Sequence, residues 1–275
     1  MDFDTDAQLA PTPASNRDWS DLPIDVLTSV FVKLGAIEVL MGAGLVCRSW
    51  LEAAKTLDPW RTVDMVHHRL VEEMYDYDSL FALFDHPEKI DGDDLCAMAR
   101  VAVDRSSRQL EVFLGKKFVT DEHLKYIEDR PTSLKRLSLI SCCNVSNEGF
   151  SQLITTSPLL EDILLDDCSD VKGDKFYEAT GKACVHLKHF RLHGEHVSDE
   201  ALGIAAMHKL RNLNLQGINV NNDELAAIID GCPHLETLSD NSTLRAKCAG
   251  IKTVELCEYE SSESSESDYD FCLFF

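Results

Sequence analysis

The chain has 275 residues, with 26 Lys and Arg against 48 Asp and Glu, a formal net charge of −22. That balance argues against nonspecific nucleic-acid binding, which needs basic residues to neutralise phosphates, and against docking on anionic lipid. At ~150 residues per domain the length allows one or two domains with a real core, and no run approaches the ~18 apolar residues of a membrane helix.

The start, Met1-Asp2-Phe3-Asp4-Thr5-Asp6, has neither the basic nor the apolar stretch of a signal peptide. The expectation is a soluble protein of the nucleus and/or cytoplasm. Residues 1–17, with Pro11, Pro13, Ser15 and Asn16, read as a disordered leader.

Residues 18–61 read as a small all-α module of three short helices. Ser20-Asp21-Leu22-Pro23 is a helix start, with proline tolerated in the first turn. Leu27, Phe31 and Leu34 follow at helical spacing beside Ile24 and Val30, and Gly35 ends the helix. A second helix is expected over 37–41, running into Gly42-Ala43-Gly44. A third is expected from about Leu45-Val46-Cys47, carrying Trp50, Leu51 and Ala54. Forty residues make a small core, and apolar groups are left over: they face the rest of the chain or await a partner.

Residues 62–107 read as a linker and an irregular first repeat. Trp60-Val63-Met65 has the form of a first strand, and Leu95, Met98, Val101 and Ala102 of a helix beneath it. Residues 67–92 between them read as an irregular helical insertion.

From 108 to 256 the chain repeats itself. The spacing L-x-x-L-x-L occurs at Leu134-Leu137-Leu139, Leu160-Ile163-Leu165, Leu187-Phe190-Leu192 and Leu210-Leu213-Leu215, and less completely at Leu235-Leu238. A looser match at Leu110-Phe113 precedes them, and successive starts lie 24, 26, 27, 23 and 25 residues apart. A second signal holds the same phase: Val119, Val145, Val171, Val197 and Val220 each precede an apolar residue five places on, at Leu124, Phe150, Phe176, Leu202 and Leu225. Between them lie polar residues able to cap a helix. Each unit is a strand plus a helix that cannot bury its apolar edge alone but does so when stacked. A period in the mid-twenties lies within the leucine-rich-repeat range. The fold class expected is α/β: a leucine-rich-repeat solenoid of parallel strands and helices behind an all-α N-terminal module. Ile251-Val254-Leu256 reads as a terminal capping strand. Residues 257–275, acidic and Ser-rich, read as a disordered tail whose Ser264, Ser265 and Ser267 are expected phosphoacceptors.

Ten cysteines are scattered without a CxxC pair and are expected to be reduced, serving mostly as small buried apolar residues. Cys142-Cys143 is expected at a buried strand end. Cys184, His186, His189, His193 and His196 cluster, but without zinc-ligand spacing, so no metal is assigned. No phosphate-cradling glycine loop, nucleophile elbow or HExxH occurs, so no catalytic residue and no cofactor is assigned.

Leu22-Pro23-x-Asp25-x-Leu27, Phe31-x-x-Leu34, Leu45-Val46-Cys47-Arg48-Ser49-Trp50 and the closing Pro59-Trp60 resemble an F-box. With the repeats, the combination is similar to the plant-type F-box/leucine-rich-repeat family. Gly42 and Gly44 depart from its pattern, where longer helix-forming residues are usual. The resemblance implies a non-catalytic substrate-recognition subunit of an SCF-type (Skp–cullin–F-box) ubiquitin ligase. Its partners would be a Skp-family adaptor, through it a cullin, and an unidentified protein target. Carried over by position, Leu22, Pro23 and Ile24 would meet the adaptor, with Leu27, Phe31, Val46 and Trp50 contributing. Helical periodicity alone also allows Leu27, Phe31 and Trp50 to be interior.

Strand alternation places Arg136, Ser138 and Ile140 outward, then Asp162, Leu164 and Asp166, then His189, Arg191 and His193, then Asn212, Asn214 and Gln216. These are the candidate target-binding positions, or else plain solvated ones. Of the strip His189, Arg191 and His193, Arg191 is expected to grip an acidic element of a target. Asp162 and Asp166 would repel that element and set its register. The competing reading is a leucine-rich-repeat scaffold or small-ligand sensor acting outside a ligase.

Overall fold

The computed structural model describes residues 18–56, 60–68, 71, 91–194, 201–216 and 220–240, and the backbone of 253–256. The leader, most of the 67–92 insertion, His196 and the acidic tail with its serines lie outside the described residues.

A 3₁₀ turn, Trp19–Asp21, leads into helix α1, Ile24–Leu34. Pro23 is its N-cap residue, where a missing N–H costs nothing. Gly35, at φ +83°, ends it, and its N–H returns to the Phe31 carbonyl at 3.0 Å. Helix α2, Ala36–Met41, follows at once. The third helix, α3, spans Arg48–Ala53 with Cys47 as N-cap residue, three residues later than expected. The stretch expected to open it instead holds a 3₁₀ turn, Ala43–Leu45. Gly44 explains the departure from long side chains there. It is buried, and a Cβ would stand 2.6 Å from the Val39 carbonyl oxygen.

Among the described residues eight strands then form one sheet, all parallel and in chain order: β1 Thr62–Asp64, β2 Val112–Lys116, β3 Arg136–Ile140, β4 Asp162–Asp166, β5 His189–His193, β6 Asn212–Gln216, β7 Thr237–Asp240 and β8 Thr253–Leu256. The helices return between them: α4 Gly92–Arg105, α5 Asp121–Glu128, α6 Asn147–Thr155, α7 Asp174–Ala183, α8 Ala201–Ala205 and α9 Asn222–Gly231. Caps mark their starts: Ser146 accepts from the Gly149 N–H, and Asn221 and Glu224 form a reciprocal box.

This is the leucine-rich-repeat solenoid. Phe113, Leu137, Ile163, Phe190, Leu213 and Leu238 stand in register across the sheet and are all buried. Val119, Val145, Val171 and Val220 line the turn after each strand, and Leu124, Phe150, Phe176 and Leu225 anchor the helices. Leu202 breaks this second signal. It lies 67% exposed, and Ile204 of the same short helix is buried instead. In α4 Leu95 and Ala102 face the core, whereas Val101 is exposed. Cys142, Cys168, Cys184 and Cys232 are buried free thiols; Cys143, expected at a buried strand end, is exposed.

Lys117, Ser141, Asp167 and Gly194 each follow a strand with positive φ. Their N–H groups reach the next strand's last carbonyl at Ile140, Asp166, His193 and Gln216, at 2.8, 2.7, 3.0 and 3.0 Å. The ladder therefore runs one bond past each strand.

The helical module shares its core with the first repeat. Trp60 is fully buried, donates Nε1–H to the Ala54 carbonyl at 2.8 Å and carries the Arg105 guanidinium over its ring at 5.0 Å. Among the described residues no single helix is long and apolar enough to cross a membrane.

Candidate functional site

Two surfaces invite partners, and the first lies on the helical module. Leu27 and Phe31 point inward at 0% exposure, Phe31 edge-on to the Trp50 ring with centroids 5.7 Å apart. They support the surface from beneath and are not part of it, which corrects their assignment as contact residues. Trp50 is half-buried and ties the module shut by donating Nε1–H to the Trp19 carbonyl at 2.9 Å. Leu22 is half-buried, while Pro23 and Ile24 are exposed. Val46 is 59% exposed and Leu45 beside it 71%.

The structure adds residues to which the sequence reading gave no contact role: Trp19, Val26, Val30, Val32, Leu34 and Met41 are also exposed. The signal for them was the apolar surplus of the module. On α1, valines 26, 30 and 32 fall off the Leu27–Phe31 stripe that the core uses. So many large apolar groups exposed within residues 19–46 is unusual for a surface that meets only water.

The second surface is the face of the sheet turned away from the helices. Three rows cross it in register. The first runs Val112, Arg136, Asp162, His189, Asn212; the second Leu114, Ser138, Leu164, Arg191, Asn214; the third Lys116, Ile140, Asp166, His193, Gln216. Alternation was right, but exposure was not. Ser138, Asp162, Leu164 and Asp166 are buried, because side chains on adjacent parallel strands stand only about 4.8 Å apart and cover one another.

Nor are the carboxylates separate from the basic strip. Asp162 accepts from Arg191 Nη2 at 2.9 Å (Oδ1) and 3.1 Å (Oδ2), and from Arg136 Nε at 2.9 Å. One carboxylate, its side chain 11% exposed, therefore stands between two guanidiniums. His193 Nδ1 lies 3.9 Å from Asp166 Oδ2. Burial holds His189 below the usual histidine pKa, against the opposite pull of Asp162. Arg191 as an uncommitted grip, with Asp162 and Asp166 as repelling guides, is thus corrected: these groups already bind one another.

A rim of charge precedes the strands. Glu111 meets Arg61 at 2.9 Å and Lys135 at 3.0 Å, Lys188 meets Glu161 at 2.7 Å, and Arg211 meets Glu236 at 3.3 Å. Of the cysteine–histidine cluster, Cys184 is buried, its thiol pushed up to about 12 by burial, and His186 is exposed. Among the described residues no three metal-ligating side chains converge.

A three-helix box fused to a leucine-rich-repeat solenoid defines a class of protein-interaction chains. Residues 19–66 match the F-box-like family. Among curated relatives from Arabidopsis thaliana, the F-box protein SKIP19 is 33% identical over 81% of this chain and 68% of its own length. The relative named as F-box/LRR-repeat protein 9 is 30% identical over 85% of this chain and 91% of its own. For that numbered 23, identity is 33% over 81% of this chain, which spans only 47% of that relative. Among solved structures, the crystal structure of the Rad7 and Elc1 complex in yeast is similar, at 19% identity and a TM-score of 0.38 over 55% of this chain and 36% of that one, a likeness too loose to bear on function. The chain belongs to the F-box/LRR-repeat family, whose members are non-catalytic ligase subunits.

Proposed function

We propose that this chain is the substrate-recognition subunit of an SCF-type ubiquitin ligase. Its helical module docks on a Skp-family adaptor, which carries a cullin, and its repeats receive the protein to be ubiquitinated. The observation that carries the reading is the apolar surface of an F-box, spread over Trp19, Ile24, Val26, Val32, Leu45 and Val46 above a closed core. Burying such side chains yields about 1.5–3 kcal/mol each, enough for a few of them to hold a partner. The nucleus and/or the cytoplasm is the proposed compartment.

Co-expression with a Skp-family adaptor and a cullin tests the proposal. The wild type should co-purify with both. Leu45→Glu with Val46→Glu places two charges in the contact and should abolish co-purification, with the circular dichroism of the chain unchanged. Adaptor binding undiminished by that pair removes the basis of the reading.

A further inference from the structure

Asp162 and Asp166 stand at the two ends of β4, on the helix-free face of the sheet, and each is 8% exposed. Their surroundings differ. Asp162 accepts hydrogen bonds from two guanidiniums, those of Arg136 and Arg191. The Asp166 carboxylate accepts none among the described residues. Its ion pair there is with His193, whose Nδ1 stands 3.9 Å from Oδ2, beyond hydrogen-bond reach. A carboxylate has about four lone-pair sites, and burying it without donors is costly. With 12% of the side chain still exposed, an incoming donor can reach it from the open face.

The ground beside Asp166 is aliphatic. Ile140, half-buried, is its register neighbour on β3, and Leu164, buried, precedes it by two residues on the same face of β4. The nearby cations are placed elsewhere. Arg136 and Arg191 are held on Asp162, and Lys116 stands in the same row two strands away, with Ile140 between. In the turn that follows, Asp167 and Asp170 are acidic and exposed.

We infer that Asp166 is the seat for an Arg or Lys side chain of the target protein. The charged head donates to the Asp166 carboxylate, and the methylene stem lies on Ile140 and Leu164. Asp162 shows what this sheet supplies to a carboxylate at the same depth, namely guanidinium donors; at Asp166 the partner molecule supplies them. Long basic side chains suit such a place, because they lay their stems on apolar surface and keep a polar tip. Their bonds to a carboxylate are charge-assisted. A chain of net charge −22 also draws a basic partner toward it. This inference rests on the proposed role of the repeats as target receptor, and names the chemistry they receive.

The test uses the purified full chain and immobilised pools of twelve-residue peptides. One central position is Arg, Lys, citrulline or acetyl-lysine, and the flanking positions are mixtures of Ala, Ser, Thr and Leu. The wild type should retain the Arg and Lys pools roughly tenfold better than the uncharged citrulline and acetyl-lysine pools, the worth of one charge-assisted contact. Asp166→Asn should bring that ratio close to one without lowering the melting temperature. Glu148→Gln removes the same charge from an exposed position on α6 and should leave the ratio intact, which separates a seat from the general acidity of the chain. A measurement on the wild type needs no variant to fold: carbodiimide coupling of the Lys pool should place the new amide bond at Asp166, read by tandem mass spectrometry. Equal retention of charged and uncharged pools, a preference that Asp166→Asn and Glu148→Gln leave alike, or coupling that spares Asp166 each overturns the inference. Adaptor co-purification is read on the same proteins: its persistence beside any of those results sinks this inference alone, whereas its absence in the wild type sinks the ligase reading.

Discussion

Ser141 shows how a single backbone angle carries the repeat. Its φ of +51° belongs to the left-handed region, yet the residue has a side chain. The conformation is held because its N–H extends the ladder to the Asp166 carbonyl at 2.7 Å. The equivalent place one repeat on is Asp167, a residue type that tolerates this region, and the next is Gly194, which has no Cβ to clash. Ser141→Gly should therefore relieve more strain than it adds chain entropy, a net gain of up to about 1 kcal/mol. In a chain of this size that is a rise in Tm of about 2 °C. A lower Tm in a thermal scan of the variant would show that the serine side chain holds the turn. At the same scale, exposure separates neighbours that sequence pattern treats alike: Leu27 supports the helical module from within, whereas Ile24, one turn earlier, faces outward.

Helix α5 depends on an unusual cap. The Thr120 N–H donates to Nδ1 of His123 at 3.3 Å, and the Thr120 hydroxyl lies 3.0 Å from the same nitrogen. The imidazole thus takes the place that Glu or Gln holds in the usual reciprocal box. Only neutral imidazole can accept there. Burial, with Arg100 nearby, holds the His123 pKa below its ordinary value. The sign follows from linkage. The unfolded chain binds the proton more readily, so the contribution is fully present above the unfolded histidine pKa of ~6.5 and is lost as pH falls through the folded value. The Tm of the wild type should fall between pH 7 and pH 5.5. In His123→Gln, which keeps an acceptor without titrating, that fall should be shallower. Equal slopes would mean that α5 does not use this cap. The period of the sequence marked α5 as a helix, but it said nothing of its pH dependence, which arises from burial.

At the scale of the molecule, the helical module and the solenoid share one hydrophobic core. Leu27, Ile37, Trp60, Val63 and Leu95 belong to a single core continuous with Leu137 and Leu213. The module covers the first edge of the sheet, the place where a parallel stack otherwise leaves strand edges and apolar side chains open. Trp60→Ala should cost about 3–5 kcal/mol, as expected for a fully buried tryptophan. The loss should appear as one shifted urea transition common to tryptophan fluorescence and far-ultraviolet circular dichroism. Two separate transitions would show that box and repeats fold independently.

The amino-acid sequence by itself determined the repeat, its register and the three short helices. These follow from local periodicity: a leucine at the wrong phase would expose one apolar side chain in every unit, and the pattern from Leu134 to Leu238 does not allow it. It also announced an apolar surplus on the helical module, much of which the structure leaves exposed. What it did not contain was the distribution of exposure among like residues. Leu202 keeps the phase of Leu124 and Phe150 yet lies outside, while Leu45 proves more exposed than Ile24. Nor did it contain the pairing of Asp162 with Arg136 and Arg191, 26 and 29 residues away in the chain. Those contacts exist only once strands stack about 4.8 Å apart. At that separation a row of independent charges becomes a network, and the place of Asp162 between two guanidiniums is decided by tertiary structure alone.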